Sequence, residues 1–214
     1  MKIFRILQIM SLIGVLIPMG CSDFLEKKSQ DEVIVTTVSD FDEFLLGSGY
    51  VTYVQYTNLY FLDDDIEYYE SEYYDELSDV MASYGFQSWQ PDMWESEEVI
   101  RTNWETYTST YSRIMGVNAV LDGIDKARGE IEARDQVKAE ALALRGYYYF
   151  MLVNTFGEPY NYNKKALGVP LKLSADIEEN GMPRNTVEEV YMQIVEDLRE
   201  SSALFEKYLL SGVY

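Results

Sequence analysis

The residues best suited to chemistry lie in the irregular stretch from Val51 to Trp94. Asp63-Asp64-Asp65 is followed by two acid-and-tyrosine runs, and nine tyrosines fall from Tyr50 to Tyr84. Trp89 and Trp94 come next, with Trp89 in a segment bounded by Gly85 and Pro91. Carboxylates accept hydrogen bonds from hydroxyl groups, and aromatic faces stack on the apolar faces of sugar rings. The combination suits a neutral, hydroxyl-rich ligand such as a glycan. Trp89 is the favoured stacking platform, with Trp94, Tyr84 and Asp64 beside it as ligand-binding candidates. The plainer alternative is a solvated acidic face over aromatic core residues.

Other chemistries are constrained by what the chain lacks. It has no His, which removes Ser-His-Asp and Cys-His nucleophilic sites and His-containing zinc sites. Asp63, Asp65 and Glu67 alternate as in a calcium loop, but Tyr68 stands where that loop needs Gly and Tyr74 where it needs Glu. No cofactor, metal or catalytic residue is assigned. Two carboxylates suffice for glycoside hydrolysis, so a carboxylate-based surface hydrolase is the alternative function. With 37 acids in the chain, finding a pair says little.

Charge narrows the partners. There are 17 basic and 37 acidic residues among 214, for a formal net charge of −20. From Ser29 to Ile100 there is no Lys or Arg and there are 18 Asp or Glu. Phosphate binding requires a basic footprint, so nucleic acid is excluded as a partner.

The elements that must position these residues are helices. Asp135 to Phe156 reads as one long helix, with Val137, Ala141, Leu144, Tyr148, Met151 and Thr155 at steps of three or four. Gly157 and Pro159 stop it. Gly146 costs about 1 kcal/mol in a helix interior, which implies another backbone passing close by. Tyr147 to Phe150 is expected to pack in the core. Upstream, Trp104, Tyr107, Tyr111, Ile114, Val117, Leu121 and Ile124 mark a second long helix, joined by a short turn and therefore antiparallel to the first. A third opens at Thr186, where Glu189 completes a capping box, and buries Val187, Val190, Tyr191, Ile194, Leu198 and Phe205. A short helix is expected after a Ser39 cap, with Asp42 at its third position, Phe41, Phe44 and Leu45 on one face, and Gly47 at its end. The fold class is all-α, with tetratricopeptide-like helix pairs and long irregular loops.

The amino end has a different task. Lys2 and Arg5 precede a short apolar run from Ile6 to Ile17, too short for a membrane span and shaped like an export signal. Gly20-Cys21 at its end resembles the lipobox of bacterial lipoproteins, with Pro18 in place of the usual Leu. The sole Cys, Cys21, has no partner for an intramolecular disulfide and is the candidate lipidation site. The expected organisation is a signal peptide over 1–20, a lipidated tether over 21–38 and one helical domain over 39–214.

Several of these stretches together resemble the SusD/RagB family. They are the Trp104…Tyr107…Tyr111…Ile114…Asn118…Leu121 helix, the run Leu144-Arg145-Gly146-Tyr147-Tyr148-Tyr149-Phe150-Met151-Leu152-Val153, Phe156-Gly157, Gly168-Val169-Pro170-Leu171, and Arg184-Asn185-Thr186-Val187-Glu188-Glu189-Val190-Tyr191 with Ile194 and Asp197-Leu198. The start at Cys21-Ser22-Asp23-Phe24-Leu25 is similar as well. Gly146 departs from the family, which usually has Ala there. The resemblance implies a non-enzymatic, lipid-anchored protein of the outer membrane, facing the exterior. It would capture a glycan or other nutrient and pass it to a SusC-like TonB-dependent outer-membrane transporter. It also implies a longer protein, so the chain is expected to be an N-terminal portion whose C-terminal lobe is absent. A structural transporter subunit with no ligand site of its own is the remaining alternative.

Overall fold

The computed structural model describes residues 35–51, 62, 85–86, 88–91, 93 and 97–209, with backbone alone at 97–105 and 209. Among the described residues the helices are, in order, α1 (Val38–Ser48), α2 (Glu97–Gly123), α3 (Ile131–Phe156), the single turn α4 (Tyr160–Asn163) and α5 (Val187–Leu209). A 3-10 turn over Ile124–Lys126 ends α2. Among the described residues there is no strand, only isolated bridges pairing Thr37 with Arg128 and Leu167 with Thr186. No described helix is long and apolar enough to cross a membrane. The fold is all-α and tetratricopeptide-like, as its periodicities predict.

Helix α3 is the centre, packed against α1, α2 and α5. It begins at Ile131, four residues before the expected Asp135. Its N-cap, Glu130, makes no side-chain capping bond, so no cap residue advertises the true start. Pairing of side chains fixes its direction against both neighbours. On the α2 side, Lys138 meets Asp125 and Arg145 meets Asn118. On the α5 side, Ser201 donates to the Ala139 carbonyl, Arg145 meets Asp197, and Phe150 lies edge-on to Tyr191. As one number rises the other falls, so both seams are antiparallel. Small residues let α5 come close: a Cβ on Gly146 would lie 3.0 Å from Leu198 Cγ and 3.6 Å from the Ile194 carbonyl oxygen.

Burial along α3 departs from a single stripe. Val137, Ala139, Ala141, Leu142, Arg145, Tyr148, Tyr149, Leu152 and Val153 are all buried, because the helix has neighbours on several sides. The expectation for Tyr147 to Phe150 holds for only two residues. Tyr148 and Tyr149 are buried, whereas Tyr147 and Phe150 are 50% and 46% exposed. Phe150 keeps only an edge-on contact with Tyr191 of α5, and Tyr147 a tilted one with Tyr148, so both rings stay half in solvent. On α5, Leu198 is also half-exposed, along with Val195 and Met192. Its neighbour Asp197, although charged, is buried.

Local chemistry sets the helix ends. Glu189 accepts from the Thr186 backbone N–H at 2.7 Å, and the Thr186 hydroxyl accepts from the Glu189 N–H at 3.2 Å, which completes the expected box. The first helix is shifted from its expected frame. Its N-cap is Thr37 with Asp40 at the third position, in place of Ser39 and Asp42, and Gly49 rather than Gly47 stands at its C-cap. The Thr36 and Thr37 backbone N–H groups hold the Asp40 carboxyl below its usual value. This arrangement wins because it buries Val38, Phe41 and Leu45 together and seats the Val38 N–H on the Arg128 carbonyl.

Candidate functional site

Of the proposed ligand-binding residues, Trp89 is described; Trp94, Tyr84 and Asp64 lie outside the described residues, as do Cys21 and the acid run Asp63–Asp65. Trp89 sits in a tight turn. Its N–H donates to the Phe86 carbonyl at 3.1 Å, Gln90 N–H donates to Gly85 at 2.8 Å, and Met93 N–H donates to Gln90 at 3.2 Å. Phe86 is wholly buried and anchors the turn, while Trp89 is 65% exposed. Among the described residues Trp89 alone, apart from glycines, has a positive φ, at 52°. A bulky residue there carries strain of about 1–3 kcal/mol, and such strain gathers at ligand-contacting positions. Neither packing nor backbone preference accounts for an indole at this place.

A buried polar network joins α2, α3 and α5. The Arg145 guanidinium donates to both Asp197 oxygens, at 2.9 and 2.7 Å, in a forked pair. It also donates to Asn118 Oδ1 at 3.1 Å and to the Leu173 carbonyl. Asn118 Nδ2 donates to the Lys172 carbonyl at 2.8 Å. The Tyr149 hydroxyl donates to that same carbonyl and accepts from the Lys172 N–H, both at 2.7 Å. Tyr111 donates to the Pro170 carbonyl, and Asp122 accepts from the Ala175 N–H. Burial pushes the Tyr149 and Tyr111 phenols well above their ordinary range, so both stay protonated donors. The network thus pins the extended strap 170–175 across α2 and α3. It is architecture rather than a ligand site, since its members use their donors and acceptors on one another.

Two open clefts remain on the described surface. One, of about 410 Å3, lies between the starts of α1 and α3 and is lined by Thr37, Ser39, Asp42, Arg128 and Gln136 among others. The second, of about 400 Å3, lies where α1 ends against α2, lined by Gly47, Ser48, Tyr50, Ser109, Ser112 and Arg113. The sequence reading missed Arg113, because one cation on a Thr- and Ser-rich helix face carries no motif. Among the described residues no group of three or more acids, Cys or His is placed to hold a metal.

A family model described as starch-binding, associating with the outer membrane, matches residues 23–211. The chain belongs to the SusD-like family. No curated protein sequence matches it. Among solved structures, it is similar to a SusD-like carbohydrate binding protein from Bacteroides vulgatus, with a TM-score of 0.56 and 24% identity over 79% of this chain and 36% of that one. A sugar binding protein from the same organism gives 0.55 and 23%, covering 81% of this chain and 38% of that one. A SusD superfamily protein from Bacteroides thetaiotaomicron gives 0.56 and 21%, covering 79% and 37%. These likenesses establish the fold. The chain spans less than two-fifths of the length of each of these SusD-like structures.

Proposed function

We propose that this SusD-like chain is a non-catalytic, surface-exposed glycan-binding lipoprotein that hands its ligand to a SusC-like TonB-dependent transporter. The observation that carries the reading is the family match over 23–211, whose family is described as starch-binding at the outer membrane. The exposed Trp89, held at a positive φ, supports it locally, because an exposed indole can stack on a sugar ring. Trp94, Tyr84 and Asp64 complete the ligand surface in this reading. Cys21 carries the lipid that holds the protein at the outer membrane, facing outward. In this reading a signal peptide over 1–20 precedes a lipidated tether from Cys21, which gives way to the helical domain where Thr37 caps α1.

Titration calorimetry against a panel of neutral glycans tests the capture step. Trp89→Ala should weaken binding about tenfold, the loss of roughly 1.4 kcal/mol of stacking. Trp89→Gly should weaken binding equally while leaving stability unchanged or improved, since Gly accepts the positive φ without strain. Unchanged affinity in both variants refutes the platform. Release of reducing sugar by the purified wild type would instead establish the hydrolase alternative. Co-purification with a transporter, without any glycan binding, would establish a structural subunit. Loss of lipid labelling in Cys21→Ser tests the anchor.

A further inference from the structure

The cleft at the end of α1 contains an unusual cation. Arg113 Nη1 is the one buried side-chain nitrogen or oxygen among the described residues that has no hydrogen-bond partner. An orphaned charged donor is costlier than an orphaned neutral one, and such a group calls for an explanation. The surroundings make it more so, because acids outnumber bases by 37 to 17 in the sequence. Lys138, Arg145, Lys164 and Lys207 all find carboxylates, but no carboxylate among the described residues pairs with Arg113. Among the described residues no acceptor meets Nη1 and no carboxylate pairs with the side chain, which is half-buried and borders the cleft.

The other walls of the cleft offer the complementary chemistry. Ser112 donates its hydroxyl proton to the Thr108 carbonyl at 3.0 Å, and Tyr50 donates its own to Glu140 at 2.8 Å. What these two groups present to the cleft is lone pairs, which accept from hydroxyl donors. Burial and the Glu140 bond raise the Tyr50 phenol to about 12, so it stays neutral. Two carbonyls near the end of α1 are turned to partners within the fold. Leu45 O accepts from the Gly49 and Tyr50 N–H groups, and Gly49 O accepts from Tyr148. Gly47 leaves one side open, with no atom within 4 Å of where its Cβ would be.

We propose that this cleft is a second ligand site that takes the oxyanion of an acidic saccharide, a carboxylate or a sulfate ester, on Arg113. The lone pairs of Ser112 and Tyr50 accept hydroxyl groups of the same sugar. A turn about the last side-chain bonds brings Nη1 from its partnerless position onto the ligand, which relieves the orphaned donor and makes a charge-assisted bond. The saccharide identity rests on the glycan-capture reading; the demand for an oxyanion rests on Arg113 alone.

The test uses the full chain in detergent and three probes: tetragalacturonate, its methyl-esterified neutral form, and a sulfated galactan tetrasaccharide. The expected result is that at least one acidic probe binds at least tenfold more tightly than the ester. Which acid binds more tightly tells carboxylate from sulfate. Arg113→Gln should abolish that preference while leaving the thermal unfolding midpoint unchanged, and Arg113→Lys should retain part of it. Equal affinity for acidic and neutral probes overturns the assignment, as does a preference that survives in Arg113→Gln. Should the glutamine variant fail to fold, Arg113→Lys decides: full retention of the preference, with no loss, counts against a geometry-specific guanidinium contact and overturns the assignment. Neutral glycans failing to bind anywhere overturns the capture reading alone, so the two failures are distinguishable.

Discussion

The forked pair between Arg145 and Asp197 gives the sharpest stability prediction. Asp197 is 2% exposed and accepts from Arg145 Nε at 2.9 Å, Arg145 Nη2 at 2.7 Å and Gln193 Nε2 at 2.9 Å. Asp197→Leu removes all three acceptors and leaves a guanidinium buried without its counter-charge. Breaking a buried pair from one side costs about 3–5 kcal/mol, a large part of the 5–15 kcal/mol that holds a typical domain together. The double variant Arg145→Met/Asp197→Leu removes the stranded charge and should recover part of that loss. Recovery stays incomplete, because Arg145 also donates to Asn118 and to the Leu173 carbonyl of the strap. Urea denaturation followed by far-UV circular dichroism measures both variants, and the double-mutant cycle should give a coupling of about 1–3 kcal/mol. Limited trypsin digestion adds a local readout, since Lys172 is 8% exposed while the strap is pinned and should become cleavable once it is freed. A cost below about 1 kcal/mol for Asp197→Leu, far under the range for a broken buried pair, would refute the reasoning.

Two glycines should respond in opposite directions. On Gly116 a Cβ would lie 2.6 Å from the Ser48 carbonyl oxygen, which is backbone, so Gly116→Ala should destabilise by about 1–3 kcal/mol in denaturant titration. On Gly146 it would meet the half-exposed Leu198 side chain at 3.0 Å, which can swing aside, so Gly146→Ala should gain about 0.5–1 kcal/mol of helix propensity. Burial pushes the Asp135 carboxyl up, but bonds from Lys207 and Tyr208 outweigh it and the net pKa lies below 3.8. A depressed carboxylate contributes stability above its unfolded value and loses it as pH falls through the folded one, so Asp135→Asn should flatten the acid limb of a stability–pH curve below 3.8. Burial raises the Tyr50 and Tyr148 phenols from 10.0 to about 12, with the Glu140 bond adding to Tyr50. Their contribution is intact below 10.0 and is lost as pH climbs through about 12, so unfolding and tyrosinate absorbance should rise together there.

The helices were legible in the sequence because their signals are local. Steps of three and four along α2 and α5, the Thr186–Glu189 box and the Gly157 stop are short-range features that backbone geometry converts directly into structure. Gly146 does face α5, but the nearest atoms belong to the movable Leu198 side chain, and the Ile194 backbone lies at an ordinary 3.6 Å. Even the family could be read from the order of its motifs. The start of α3 was not legible, because Glu130 does not cap it, and the frame of α1 slipped because Thr37 and Ser39 are both competent caps. Nor could spacing reveal which face of a helix ends uncovered. Tyr147 and Tyr148 are the same residue type one position apart, yet one is 50% exposed and the other 3%. Only the assembled fold decides such cases, because burial is a relation between a side chain and neighbours that sit tens of residues away. Asp197 is a core residue because α3 brings Arg145 to it, Trp89 is exposed in a turn whose Phe86 is buried, and Arg113 Nη1 has no acceptor among the described residues.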